Sequence, residues 1–336
     1  MMTIPEIEFA YATAQPIELL RHPLEVPEAT LQGRFYPYGF PIEVRTNCAD
    51  VLSQLDESYG VFEKRFDTKP VVVDVHVLES DEAECPLTPQ YQIMMPLMVS
   101  IADGSNFSVV DYEHLHSQVV VTAAAVKYPL YLRYFFLEPA ALCHISARYT
   151  TPIHSGCVAL DGRGLLLMGD SGAGKSTLSF ACARAGWAYV CDDSCMMLNQ
   201  QTQRIVIGNC HQVRLRPSAA ELFPEIRGVA ITPRAEGKPS IEFPTANLPH
   251  LRLAEAAHVD SIVFLNRNWE GPPQLWPWRR DVARHAMRQV VIGTPELREL
   301  QYETIERLLT AELFELRYTD LDLAIERLQI LVREGR

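Results

Sequence analysis

The segment Gly169-Asp170-Ser171-Gly172-Ala173-Gly174-Lys175-Ser176 meets the spacing G-x-x-x-x-G-K-[ST]. That order of residue types suits a polyphosphate. Glycines let successive backbone N–H groups converge on phosphate oxygens, and a helix starting at the lysine adds its positive N-terminal end. Lys175 would neutralise the outer phosphates, and Ser176 would offer its hydroxyl to a magnesium ion. Thr177 follows directly. The second candidate group is Asp192-Asp193, at the end of the apolar run Trp187-Ala188-Tyr189-Val190-Cys191. A carboxylate there can hold magnesium, and a neighbouring one can accept a proton from a substrate hydroxyl. The ordinary alternative is a solvated Asp-Asp turn.

The elements that must position these residues are legible nearby. Ser155 to Leu160 and Gly164 to Met168 read as apolar strands joined by Asp161-Gly162-Arg163, a hairpin signal. The second strand feeds the glycine loop. A helix is expected over Lys175 to Ala185, with Gly186 as its stop. A strand should precede Asp192, and Asp260 to Leu265 should form another. Thr294-Pro295-Glu296 should open a helix reaching about Leu309, Leu313 to Tyr318 should be a last strand, and Asp320 should cap a final helix.

Upstream, the first 30 residues read as an irregular lead-in. Strands are expected over Pro41 to Arg45, Val71 to Val77, Ile93 to Ile101 and Val119 to Val121. Asn47 to Tyr59 reads as a helix, with Asn47 as a candidate cap. Leu130, Tyr131, Phe135, Phe136 and Leu137 fall near helical spacing ahead of Pro139. A boundary is expected at Thr150-Thr151-Pro152. This gives an N-terminal α/β domain over 1–150, a candidate for substrate recognition, and a P-loop domain over 151–336.

The 336 residues carry a formal net charge of −12. Such an acidic chain should repel nucleic acid and anionic membrane. The N-terminus lacks the pattern of a secretory signal, and the longest apolar stretch is broken by Lys127, Arg133 and Glu138. The expectation is a cytoplasmic protein with reduced cysteines. Cys191, Cys195, Cys210 and His211 do not match a paired zinc knuckle. Arg214 and Arg216 alternate around Leu215, facing phosphates together or lying on a solvated face. Lys238, in the loop Glu236-Gly237-Lys238-Pro239, would close on a ligand or sit on the surface.

Taken together, Ile153-His154-Ser155-Gly156, the hairpin Gly162 to Gly169, the loop, Arg184-Ala185-Gly186-Trp187 and Val190-Cys191-Asp192-Asp193 resemble the catalytic domain of HPr kinase/phosphorylase and its relatives. The resemblance runs over about residues 135 to 215, with weaker traces beyond. It implies an α/β fold like that of phosphoenolpyruvate carboxykinase, with a mixed sheet around the P-loop, and ATP-dependent, magnesium-dependent phosphoryl transfer to a serine hydroxyl. By the same resemblance His154 is the active-site histidine, Lys175 and Ser176 the phosphate and metal ligands, Asp192 the general base and Asp193 the metal-side carboxylate, with the two aspartates exchangeable.

Thr177 stands where the bifunctional enzymes usually carry Glu, and a late Pro-Gly-Arg-Asn signature is missing. Glu225-Ile226-Arg227-Gly228 echoes a family segment, further past the aspartates than expected. These departures place the chain among divergent relatives. The acceptor would be a peptide or protein hydroxyl; the alternatives are a small metabolite such as free serine, or a nucleotide-sensing or assembly module with little catalysis. The resemblance also allows a homo-oligomer.

Overall fold

The structure is a computed structural model that describes residues 4–13, 26–232, 238–289, 291 and 294–335. The chain divides into two compact units, Met1–Ala147 and Arg148–Arg336.

The first unit is built on seven strands: β1 (Leu31–Phe35), β2 (Ile42–Thr46), β3 (Val71–Leu78), β4 (Gln90–Met94), β5 (Leu97–Ile101), β6 (Phe107–Asp111) and β7 (His116–Thr122). They lie in the order β1-β2-β3-β7-β6-β5-β4. The pairs β2–β3 and β3–β7 are parallel and the others antiparallel. Helices α1 (Ile4–Ala12), α2 (Ala49–Tyr59), α3 (Ala123–Val126), α4 (Pro129–Leu132) and α5 (Glu138–Arg148) complete it.

Three expectations need correction here. Helix α1 forms within the stretch expected to be irregular, because Ile7 is buried against Met94 and Val99. Asn47 does not cap α2. Cys48 stands at the N-cap, and the Asn47 amide exchanges hydrogen bonds with the backbone of Val77. The run Ile93 to Ile101 is two strands, since Met95-Pro96 turns between Met94 and Leu97. The expected helical stretch ahead of Pro139 forms and continues past it. A π-helical turn over Arg133–Leu137 leads into α5, and such a widened turn accommodates a ring that would clash with the carbonyl four residues back.

The second unit contains β8 (Thr150–Ile153), β9 (Gly156–Leu160), β10 (Arg163–Met168), α6 (Lys175–Arg184), β11 (Ala188–Cys191), β12 (Cys195–Leu198), β13 (Ile205–Gly208), β14 (Gln212–Leu215), β15 (Ile231–Thr232), β16 (Ser240–Pro244), β17 (Arg252–Leu253), β18 (Ala256–Asn266), β19 (Gln274–Pro277), α7 (Arg280–Arg288), α8 (Pro295–Leu308), β20 (Glu312–Arg317) and α9 (Leu321–Glu334). The main sheet runs β17-β11-β9-β10-β18-β13-β12-β8, and β20 pairs with β18 and β19. A small sheet, β14-β16-β15, lies apart from it. Asp161 and Gly162 both take positive φ in the two-residue turn between β9 and β10, the geometry that right-twisted hairpins favour.

From Leu165 to Met168 strand β10 is apolar and buried because both its faces are covered. Leu165 and Leu167 pack with Leu178 and Phe180 of α6 and Leu328 of α9. Leu166 and Met168 pack with Ala283 and Met287 of α7 and Ile305 and Leu308 of α8. Burying one such side chain contributes roughly 1.5–3 kcal/mol. The unit is therefore a mixed α/β sheet with helices on both faces. Pro152, in β8, sits on the edge strand, where a missing N–H costs least. Among the described residues no helix is long and apolar enough to cross a membrane.

Candidate active site

Strands β10, β18 and β20 are mutually parallel, and β11 runs with them because both β10 and β11 pair antiparallel with β9. Their carboxyl ends therefore share one edge of the sheet, the usual place for a ligand in α/β folds. The glycine loop leaves β10 there, and Asp192-Asp193 leave β11 there. His154 lies between β8 and the start of β9, which runs the other way and so begins at the same edge.

The loop turns through Gly169, Gly172 and Gly174 with φ of 147°, 91° and 98°, values that side chains with a Cβ rarely adopt. Gly174 is the N-cap of α6, with no side chain capping the first turn. Its leading N–H groups are therefore free of a side-chain cap and face the loop. Asp170 and Ser171 are exposed on the loop, and Ala173 closes it by donating its N–H to the Asp170 carbonyl at 3.0 Å. Lys175 is 5% exposed. Its Nζ donates to the carbonyls of Gly169 at 2.8 Å and Asp170 at 3.4 Å. Burial holds its pKa below the usual lysine range, opposed by the negative charges of Asp193 and Asp170. A positive-φ loop, an uncapped helix start and a buried ammonium form a donor set that fits phosphate oxygens. Half-buried Ser176 and Thr177 continue the first turn of α6.

The two aspartates have different surroundings. Asp192 is buried, and its Oδ2 accepts the backbone N–H of Arg214, on β14, at 2.8 Å. Burial pushes its carboxyl up to about 7, opposed by that N–H and reinforced by Asp193. Asp193 is half-exposed, with Oδ1 3.8 Å from Nδ1 of His154. It also bears electrostatically on Lys175. The structure thus groups His154, Asp193 and Lys175, and ties Asp192 to the backbone of β14. Gly156 permits this packing. A Cβ there would collide with the Ser179 hydroxyl of α6 and lie 3.1 Å from the Asp192 carbonyl. Below lie the buried thiols of Cys157, Cys191 and Cys195. Ser155 Oγ is 3.1 Å from the Cys195 sulfur.

Other sequence candidates lie elsewhere. The Arg214 guanidinium pairs with Glu242 at 3.0 Å on the small sheet, while its backbone N–H bonds Asp192 and its charge also lowers that carboxyl's pKa. Arg216 is exposed past the end of β14. Glu225 pairs with Arg184 at the far end of α6. Lys238 is exposed, and Glu236 and Gly237 lie outside the described residues.

Two residues escaped the sequence reading. Arg267, just past β18, and Tyr318, just past β20, stand against the loop: a Cβ on Gly174 would lie 3.0 Å from Arg267 Cδ and from the Tyr318 hydroxyl. Burial pushes the Tyr318 phenol up to about 12. Their position at the carboxyl ends of strands parallel to β10 was the available signal, and it needs the strand pairing to be known.

This strand, loop and helix, set in a mixed sheet covered on both faces, define a P-loop α/β fold. Over 82 residues the chain is 37% identical to HPr kinase/phosphorylase of Bacillus velezensis and of Bacillus subtilis, and 33% identical to that of a Geobacillus strain. The matched stretch covers 24% of this chain and 24% of the length of these curated relatives. No family model matches the chain. Among solved structures, the Hpr(Ser) kinase/phosphatase from Coxiella burnetii aligns with 55% of this chain and 96% of its own, at a TM-score of 0.33 and 16% identity. The chain is a divergent relative of HPr kinase/phosphorylase.

Proposed function

We propose that the chain is an ATP-dependent phosphotransferase that moves the γ-phosphoryl group to a serine-type hydroxyl of a peptide or protein. The observation that carries this reading is the convergence of Lys175, the loop, His154 and both aspartates on one sheet edge. Residues 169–177 bind the polyphosphate, with Lys175 countering its charge. Ser176 and Asp193 would hold a magnesium ion, which would supply further charge neutralisation. The acceptor hydroxyl oxygen forms a bond to the γ-phosphorus as the bond to the leaving diphosphate breaks. Asp192 takes the hydroxyl proton, and Arg214's N–H fixes its carboxylate. His154 positions Asp193 through their contact. The main rate gain comes from alignment and fixed charge.

The test is transfer of labelled γ-phosphate from magnesium-ATP into fractions of a cell extract. Wild type should label a peptide or protein fraction. Lys175→Ala should lose nucleotide binding. Asp192→Asn should bind ATP but transfer at least about a hundredfold more slowly. Label in a small-molecule fraction instead would redirect the reading to a metabolite kinase. ATP binding with no labelled acceptor, unaffected by Asp192→Asn, would leave a nucleotide-sensing module.

A further inference from the structure

Where β10 and β20 begin, on either side of β18, the sheet and the end of α9 enclose a pocket of about 290 Å³, at the small end of ligand sites. It lies at the opposite edge from the glycine loop, one strand length or roughly 20 Å away. A β-bulge shapes it. Gly164 pairs with Val259 and Leu165 with Ser261, which leaves Asp260 unmatched. Bulges re-aim side chains, and here Asp260 turns its Oδ2 back to accept the Gly164 N–H at 3.1 Å. Glycine is needed at 164, where a Cβ would lie 2.3 Å from the His258 carbonyl oxygen.

The lining carries charges of both signs that do not satisfy one another. Arg163 and Arg204 share it with Asp260 and Glu312. Arg163 donates to the Val332 carbonyl at 2.9 Å. Arg204 donates to the Val259 carbonyl at 2.6 Å and to the Thr310 hydroxyl at 2.9 Å. A guanidinium has five N–H donors, so both arginines keep spare ones. Among the described residues neither arginine pairs with either carboxylate, and Glu312 has no hydrogen bond or ion pair. Ser261 is the register partner of both Leu165 and Glu312. It is 4% exposed, and its hydroxyl has no hydrogen-bond partner among the described residues. An unpaired buried hydroxyl costs about 1–3 kcal/mol, a cost that a polar ligand removes.

We propose that this pocket binds a small α-amino acid as its zwitterion. The ligand carboxylate meets the guanidiniums of Arg163 and Arg204, and its ammonium meets the carboxylates of Asp260 and Glu312. The Ser261 hydroxyl donates to the first or accepts from the second. The four lining charges sum to zero. A lone anion there would face two carboxylates, and a lone cation two guanidiniums. A neutral dipole of amino-acid size satisfies both pairs at once. The distance from the glycine loop means that such a ligand is not the phosphoryl acceptor. The inference therefore stands apart from the proposed transfer reaction.

The experiment is calorimetric titration of each proteinogenic L-amino acid into the full chain, as wild type, Asp260→Asn and Glu312→Gln. Wild type is also titrated with the amide and the N-acetyl derivative of any amino acid that binds. Asparagine at 260 keeps an oxygen for the Gly164 N–H, and Glu312 is exposed, so both variants should fold, which far-UV circular dichroism checks. At least one amino acid should bind wild type with a Kd below about 1 mM. Its amide lacks the carboxylate and its N-acetyl form lacks the ammonium. Each should bind at least about tenfold more weakly, the worth of one charge-assisted hydrogen bond. At least one of the two variants should lose affinity for the parent amino acid by a similar factor. Binding of no amino acid overturns the inference. So does a derivative that binds as tightly as its parent, or wild-type affinity in both variants. If that retained affinity is lost in Asp193→Asn, the amino acid sits at the glycine-loop edge, and the far pocket is not its site.

Discussion

At the residue scale, Gly156 joins packing to chemistry. It has no catalytic group, yet a side chain there would enter the space of the Ser179 hydroxyl and approach the carbonyls of Asp192 and Lys175. Replacement by alanine must push α6 away from β9 or displace Asp192. Either movement disturbs the distance between Lys175 and the aspartates. Gly156→Ala should cost about 1–3 kcal/mol of stability, the usual range for overpacking, and should lower phosphoryl transfer more than ATP affinity. Urea unfolding with parallel ATP titration checks this. A variant with wild-type stability and transfer would mean that α6 and β9 are not locked together at this point.

At the element scale, β10 holds the loop by being gripped on two faces. Leu166 is fully buried on the α7–α8 side. Leu166→Ala should destabilise the chain by about 2–5 kcal/mol, whereas Leu323→Ala, at a site 45% exposed on α9, should stay within about 0.5 kcal/mol of wild type. Urea midpoints separate the two, and a Leu166→Ala cost below about 1 kcal/mol would contradict a packed second face. The same strand shows why part of the site was legible in the sequence. The hairpin, loop, α6, its glycine stop and the aspartates form one local succession of 156–193, and each step has its own residue signal. Thr294 and Asp320 were likewise readable, and their side chains accept the N–H groups of Leu297 and Leu323.

What stayed hidden depends on pairing between distant segments. β8 joins β12, and β13 joins the first residues of β18. These strands are four residues long apart from β18, too short for a periodic signal. Arg267 and Tyr318 reach Gly174 only because β18 and β20 lie parallel beside β10. Helix α7 buries only Ala283 and Met287, one turn apart, among polar residues. Asn47 was misread for a related reason. A good capping residue found a better partner in the backbone of Val77, thirty residues away.

At the scale of the whole molecule, the two units carry different reporters. All four tryptophans lie between residues 187 and 278, so indole emission follows the second unit alone. The first unit carries a buried histidine. His144 is 0% exposed, with Nε2 2.9 Å from the Ser117 hydroxyl, which donates to the Ala140 carbonyl. Burial lowers its pKa to about 4, with Asp111 opposing and His116 reinforcing the shift. In the unfolded chain the imidazole titrates near its ordinary value of about 6.5. As pH falls below that value, the unfolded state takes up the proton first, so folding loses free energy until pH 4 is passed. The full effect is on the order of 3 kcal/mol, and roughly half of it should be lost by pH 5. Scanning calorimetry and far-UV ellipticity should therefore show a transition that shifts down between pH 7 and pH 5, while the tryptophan transition moves less. His144→Leu, which keeps an apolar group of similar bulk in the site, should flatten the pH dependence of that first transition. If the variant follows the wild-type pH profile, the acid sensitivity of the first unit has another origin than His144.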